Sequence, residues 1–219
     1  MDVTTLAVAL IGVAGTLGGT LGGAALSQRA SRAEAREQSL RTDRQREQER
    51  AEQAVQAKRD LYALLNTTAR AYRIACRDVV EASARGEVLD PSLLDAAKEA
   101  WAEQYSLAQM TLAGDVLDVA SSLNRSLGVG YSVVKQLPSG SDRQAAYRRA
   151  TAWFMGPLSD GVYLLRVALR QDLGVEAEVE AEFERWRLEA VTALDSARNS
   201  LARQLEAERR PVNGSVDLP

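Results

Sequence analysis

Residues 91–127, PSLLDAAKEAWAEQYSLAQMTLAGDVLDVASSLNRSL, decide the fold class. Leu94, Ala97, Trp101, Tyr105, Ala108, Leu112, Val116, Val119, Leu123 and Leu127 recur at gaps of three or four without a lapse. That period lays the apolar side chains along one stripe of an α-helix, whereas a half-buried strand would alternate at every second residue. Asp90-Pro91 marks the start, with a side chain that can accept from the orphan N–H groups of a first turn and a proline where no N–H is missed. The spacing predicts one long helix that ends at Gly128 and Gly130.

The same period extends outward in both directions. Residues 131–140 read as a connection with Pro138-Ser139-Gly140 as its turn, and Ser141 with Gln144 forms a capping box. The next helix carries Ala146, Ala150, Trp153 and Phe154. Gly156-Pro157 should kink or break it before it resumes through Leu164, Leu165 and Ala168 to Leu173-Gly174. A last stripe runs Val175, Val179, Phe183, Trp186, Ala190, Leu194, Ala197, Leu201 and Leu205, closed by Pro211. On the amino side, Val55, Leu61, Leu65, Tyr72, Cys76 and Val79 form a stripe that stops near Arg85-Gly86. No period-two stretch is long enough for a sheet. The expectation is an all-α protein with an antiparallel bundle of about four helices over residues 55–210 and a flexible tail at 211–219.

The amino-terminal residues follow a different rule. Val3 to Leu26 are 24 consecutive positions without a charged side chain. As a helix they would span about 36 Å, enough for a hydrocarbon core of about 30 Å. Gly15, Gly19 and Gly23 fall four apart on one face, the spacing that lets two helix backbones approach closely in lipid, so self-association into a homo-oligomer is expected there. Arg29, Arg32 and Arg36 follow at once, and basic residues beside a span mark its cytoplasmic side and can attract anionic headgroups. Residues 1–26 therefore read as a single-pass transmembrane anchor in a cell membrane, amino terminus out and bundle in the cytoplasm. A cleaved secretory signal would need a basic n-region, which Met1-Asp2 does not supply. Residues 27–54 are Arg-, Glu- and Gln-rich, and Leu40 is the only large apolar residue between Leu26 and Val55. A coiled coil would need an a/d seam, so this segment reads as a charged, solvated helical stalk.

Composition narrows the chemistry. The chain has no histidine, which removes His-based acid–base pairs, Ser-His-Asp triads and His metal ligands. Its single cysteine excludes an intramolecular disulfide and any multi-cysteine zinc site. The net charge of −3 does not suit a protein that seeks nucleic acid. With 36 alanines and 5 % aromatics, closely packed helices are favoured, and 24 arginines against 3 lysines is a habit of chains from GC-rich bacterial genomes.

The remaining chemistry-bearing residues have plainer readings. Cys76 lies on an apolar stripe and reads as a small buried hydrophobe. Glu176, Glu178, Glu180, Glu182 and Glu184 point in alternating directions on a helix; only Glu176, Glu180 and Glu184 share a face, and solvated surface is the expectation. Arg143, Arg148 and Arg149 make a modest basic patch without interleaved aromatics. Trp101, Trp153 and Trp186 are expected in the core. No catalytic residue, cofactor or metal site is expected.

The glycine-rich amino-terminal segment, the Arg/Glu/Gln-rich stalk and the run Lys58-Arg59-Asp60-Leu61-Tyr62 resemble small actinobacterial single-pass membrane proteins, the Kil and spread proteins of conjugative plasmids. The resemblance covers about the first 80 residues. It implies a role in membrane-associated plasmid transfer and carries over no site residue. The functional expectation is a non-enzymatic, self-associating membrane scaffold or adaptor that presents its bundle to a protein partner. The alternative is a small oligomeric channel or membrane-permeabilising protein lined by the glycine/threonine face.

Overall fold

A computed structural model describes the backbone of residues 3–87, 90–137, 143–175 and 180–209, with side chains from residue 37 onward except that of Glu180. Among the described residues the protein is all-α, with six helices: α1 (Val3–Arg85), α2 (Pro91–Thr111), α3 (Gly114–Lys135), α4 (Arg143–Met155), α5 (Pro157–Asp172) and α6 (Glu180–Arg209). The chain divides into two units, Met1–Ala57 and Lys58–Pro219.

In the first unit, the described side chains of α1 are exposed and mostly polar, with Leu40 and Val55 as exposed apolar residues among them. Arg41 reaches Glu37 at 2.6 Å across one helical turn, and Asp43 pairs with Arg46 at 3.9 Å. Contacts of this kind support an exposed helix that buries no apolar face. No helix among the described residues is long and apolar enough to cross a membrane. The expected anchor at 1–26 and the tail at 211–219 lie outside the described residues, apart from the helical backbone of α1.

The second unit is built around α3. Val116, Val119, Ala120, Leu123 and Leu127 of α3 are at most 1 % exposed, because α2, α4, α5 and α6 all pack against this helix. From α1, the buried residues Tyr62, Leu65, Ala69, Tyr72, Cys76 and Val80 join the same core. Burying a large aliphatic side chain contributes about 1.5–3 kcal/mol, so this shared core is the main source of the fold. At Gly161 on α5, an added Cβ would lie 2.9 Å from Leu194 Cδ2 and 3.3 Å from Leu123 Cδ1. Its absence lets α3, α5 and α6 meet.

Several helix ends follow the expected chemistry. Gly86 leaves α1 at φ +80°, a conformation that costs glycine little, and the Glu87 N–H donates back to Ala82 O at 2.9 Å. Asp90 caps α2 by accepting the Ser92 N–H at 2.9 Å, with Pro91 in the first turn. Gly156 separates α4 from α5, and Gly174 at φ +68° turns the chain after α5.

Two expectations need correction. The stripe from Leu94 to Leu127 is two helices, because Leu112 (ψ 144°) and Ala113 (ψ 152°) are extended. The count of three and four survives the break because Leu112 is half-buried and packs on the core from the turn itself. Nor does α3 stop at Gly128 or Gly130; it runs on to Lys135. Gly130 is there for close packing, since a Cβ would stand 3.0 Å from Phe154 Cε1 and 3.2 Å from Trp153 Nε1. With the separation of α4 from α5, the four expected bundle segments become six helical pieces in the described residues. Ser141 of the expected capping box lies outside the described residues, while Gln144 sits in the first turn of α4.

Candidate functional site

The ends of α3, α4 and α6 line a half-open cleft of about 610 Å³, with Ala145, Glu208 and Arg209 exposed to solvent. Its apolar wall comes from Val133 in the last turn of α3, Leu137 just after that helix, Ala145 and Ala146 near the start of α4, and Leu205 of α6. The two alanines matter most. Consecutive methyl side chains at the start of a helix leave space that longer residues would fill.

The polar side is held by four residues. Arg149 of α4 and Glu208 of α6 form a two-pronged pair, Nη1 to Oε1 at 2.7 Å and Nη2 to Oε2 at 2.8 Å. The third Arg149 nitrogen, Nε, is buried without an acceptor among the described residues. Arg209 donates its Nε–H to Gln136 Oε1 at 3.0 Å and makes no ion pair among the described residues. Among the described lining residues, two guanidinium groups stand against one carboxylate, a single positive charge in excess. A wall of apolar carbon beside a small number of directed polar groups is the general form of a small-molecule site.

Other polar clusters are already satisfied by the fold. Tyr62 of α1 donates its hydroxyl to Asp172 at the end of α5, and Lys58 Nζ approaches the same carboxylate at 2.7 Å. Lys58 also donates to the Asp172 carbonyl at 3.3 Å, placing a cation at the negative end of α5. Burial, followed by the hydrogen bond to Asp172, pushes the Tyr62 phenol well above its ordinary range, so it remains a donor. These groups fasten α1 to α5. Arg187, 6 % exposed, grips Glu184 through two nitrogens and donates to the Asp115 carbonyl at 3.0 Å, which ties α6 to α3.

Gly15, Gly19 and Gly23 and Arg29, Arg32 and Arg36 lie on the backbone of α1, with side chains outside the described residues. Cys76 is fully buried, and burial pushes its thiol up to about 12. Of the three glutamates on one face, Glu176 and the Glu180 side chain lie outside the described residues, while Glu184 is engaged by Arg187. Two of the three arginines of the basic patch make tertiary contacts, Arg143 to Ser83 O at 2.6 Å and Arg149 to Glu208, and Arg148 is exposed. Trp101 and Trp153 are buried as expected. Trp186 is 38 % exposed and packs edge-on against Tyr163, because its stripe position faces the rim between α5 and α6.

Sequence reasoning did not find the cleft. Gln136, Arg149 and Arg209 lie on three helices, and no local motif joins them. Arg149 was visible only as one of three nearby arginines. No family model, curated protein or solved structure matches the chain.

Proposed function

We propose that this protein is a non-enzymatic membrane-anchored adaptor, which self-associates through residues 1–26 and offers its helical bundle to a protein partner. The observation that carries the reading is the uncharged run from Val3 to Leu26 with arginines immediately after it. The run matches the length a bilayer requires, and the arginines match the side that faces the cytoplasm. Gly15, Gly19 and Gly23 support pairing of copies, and Arg29, Arg32 and Arg36 support contact with anionic headgroups. Copies held in one plane raise each other's effective concentration, so a weak bundle–partner contact becomes avid. The resemblance to Kil and spread proteins makes plasmid transfer the process to test first.

Membrane fractionation of the full chain, with protease added from each side, tests this reading. A carbonate-resistant pellet with the bundle protected from outside supports it, and a freely soluble or externally digested bundle overturns it. Gly19→Ile should weaken self-association in a membrane two-hybrid assay, and an unchanged signal removes the glycine face from the account. Dye release from liposomes by a peptide of residues 1–26 would instead favour the permeabilising reading.

A further inference from the structure

We infer that the cleft between α3, α4 and α6 binds a small monoanionic amphiphile, a carboxylate head on a short aliphatic body. The inference is independent of the membrane reading, since every residue it uses lies between Lys58 and Arg209. The volume of about 610 Å³ falls within the range of roughly 300–1,000 Å³ that small-molecule sites occupy.

The charge arrangement selects the head. Glu208 already fills the fork of Arg149, so an entering group meets Arg209, whose Nε is steadied by Gln136. The two terminal nitrogens of Arg209 have no carboxylate among the described residues, and the planar fork matches a carboxylate in both spacing and charge. One excess positive charge suits one negative charge. A cationic head would face two guanidinium groups, and an uncharged hydrocarbon would strip water from Arg209 without replacing it.

The wall selects the body. Leu137, Ala145, Ala146 and Leu205 line the cleft with carbon. Arg209 also complements the negative end of α6, but that role needs only an arginine in the last turn. It requires neither the cavity nor the two alanines in its lining.

Such a head and body could come from a free short-chain acid or from a fatty acid residing in a membrane. The test uses the full chain in phosphatidylcholine nanodiscs, with hexanoate as the probe and saturation-transfer NMR as the readout, empty nanodiscs serving as blank. Saturable hexanoate binding is expected, weakened about tenfold or more by Arg209→Gln, absent for hexylammonium, and lost in Ala146→Phe, which fills the cleft without changing charge. Ala146→Met provides a milder filling variant should the phenylalanine disturb folding, with circular dichroism reporting on helicity. Equal binding in the filled and native clefts, equal binding of hexylammonium, or no saturable binding overturns the inference. Displacement of hexanoate by oleate carried in the nanodisc supports it with a membrane source. Retention of bound hexanoate against oleate supports it with a soluble one.

Discussion

Ser122 and Asp195 meet across the boundary between α3 and α6, the fully buried serine donating its hydroxyl to Oδ1 at 2.5 Å. Arg198 donates to the same oxygen at 2.6 Å, and Arg125 stands 3.6 Å from the other. The carboxylate therefore accepts from two donors and pairs with a further cation, and the serine is one contributor among them. Ser122→Ala should cost about 1 kcal/mol, and Asp195→Leu about 2–3 kcal/mol because it strands a buried hydroxyl and an arginine. Urea midpoints decide the matter; a larger loss for the serine variant would reverse the ranking.

Gly128 and Gly130 sit two residues apart on α3 and should respond in opposite directions to alanine. Nothing lies within 4 Å of a Cβ at Gly128, so Gly128→Ala should stabilise the helix by about 0.5–1 kcal/mol. A Cβ at Gly130 meets the Phe154 ring at 3.0 Å, and Gly130→Ala should cost about 1–2 kcal/mol. Thermal unfolding of the pair provides the comparison, and stabilisation at both sites would contradict the packing described.

Cys76 should be slow toward thiol reagents in the folded protein and fast in denaturant, because burial holds it as the neutral thiol. Its folded value, about 12, exceeds the unfolded value of about 8.5. The sign follows: stability is complete below the unfolded value and declines as pH rises toward the folded one. Burial also raises Tyr62 and Tyr72, so both add to the alkaline loss. Cys76→Ala should flatten the first part of that decline in unfolding curves taken above about pH 8.5.

Arg187→Lys should not preserve the α6–α3 tie. A lysine offers one point charge where the guanidinium spans both Glu184 oxygens and the Asp115 carbonyl. A loss of about 1–2 kcal/mol is expected in the urea midpoint, and native stability in the lysine variant would show the fork to be dispensable.

Helical periodicity carried most of the architecture because three- and four-residue gaps report directly on burial. Gly86, Asp90-Pro91, Gly156-Pro157 and Gly174 were readable for the same local reason: each changes what the backbone can do. The break at Leu112-Ala113 was hidden because neither residue forces an extended conformation and Leu112 keeps its place in the apolar count. Gly130 misled because glycine signals an end in isolation and a close approach when an aromatic ring lies opposite. The cleft was invisible for a third reason. Gln136 and Arg209 lie 73 residues apart, and only the packed bundle brings them together.

The fastening of Tyr62 to Asp172 has a consequence during synthesis. The two residues are separated by 110 positions. At translation rates of roughly 5–20 residues per second, the first core helix waits on the order of 5–20 s before its counterpart has been made. Through that interval Tyr62 and Lys58 lack the Asp172 carboxylate that they reach in the folded protein. The tie between α1 and α5 therefore forms only late in synthesis, and the core closes later still, when Phe183, Leu194, Leu201 and Leu205 of α6 have been made.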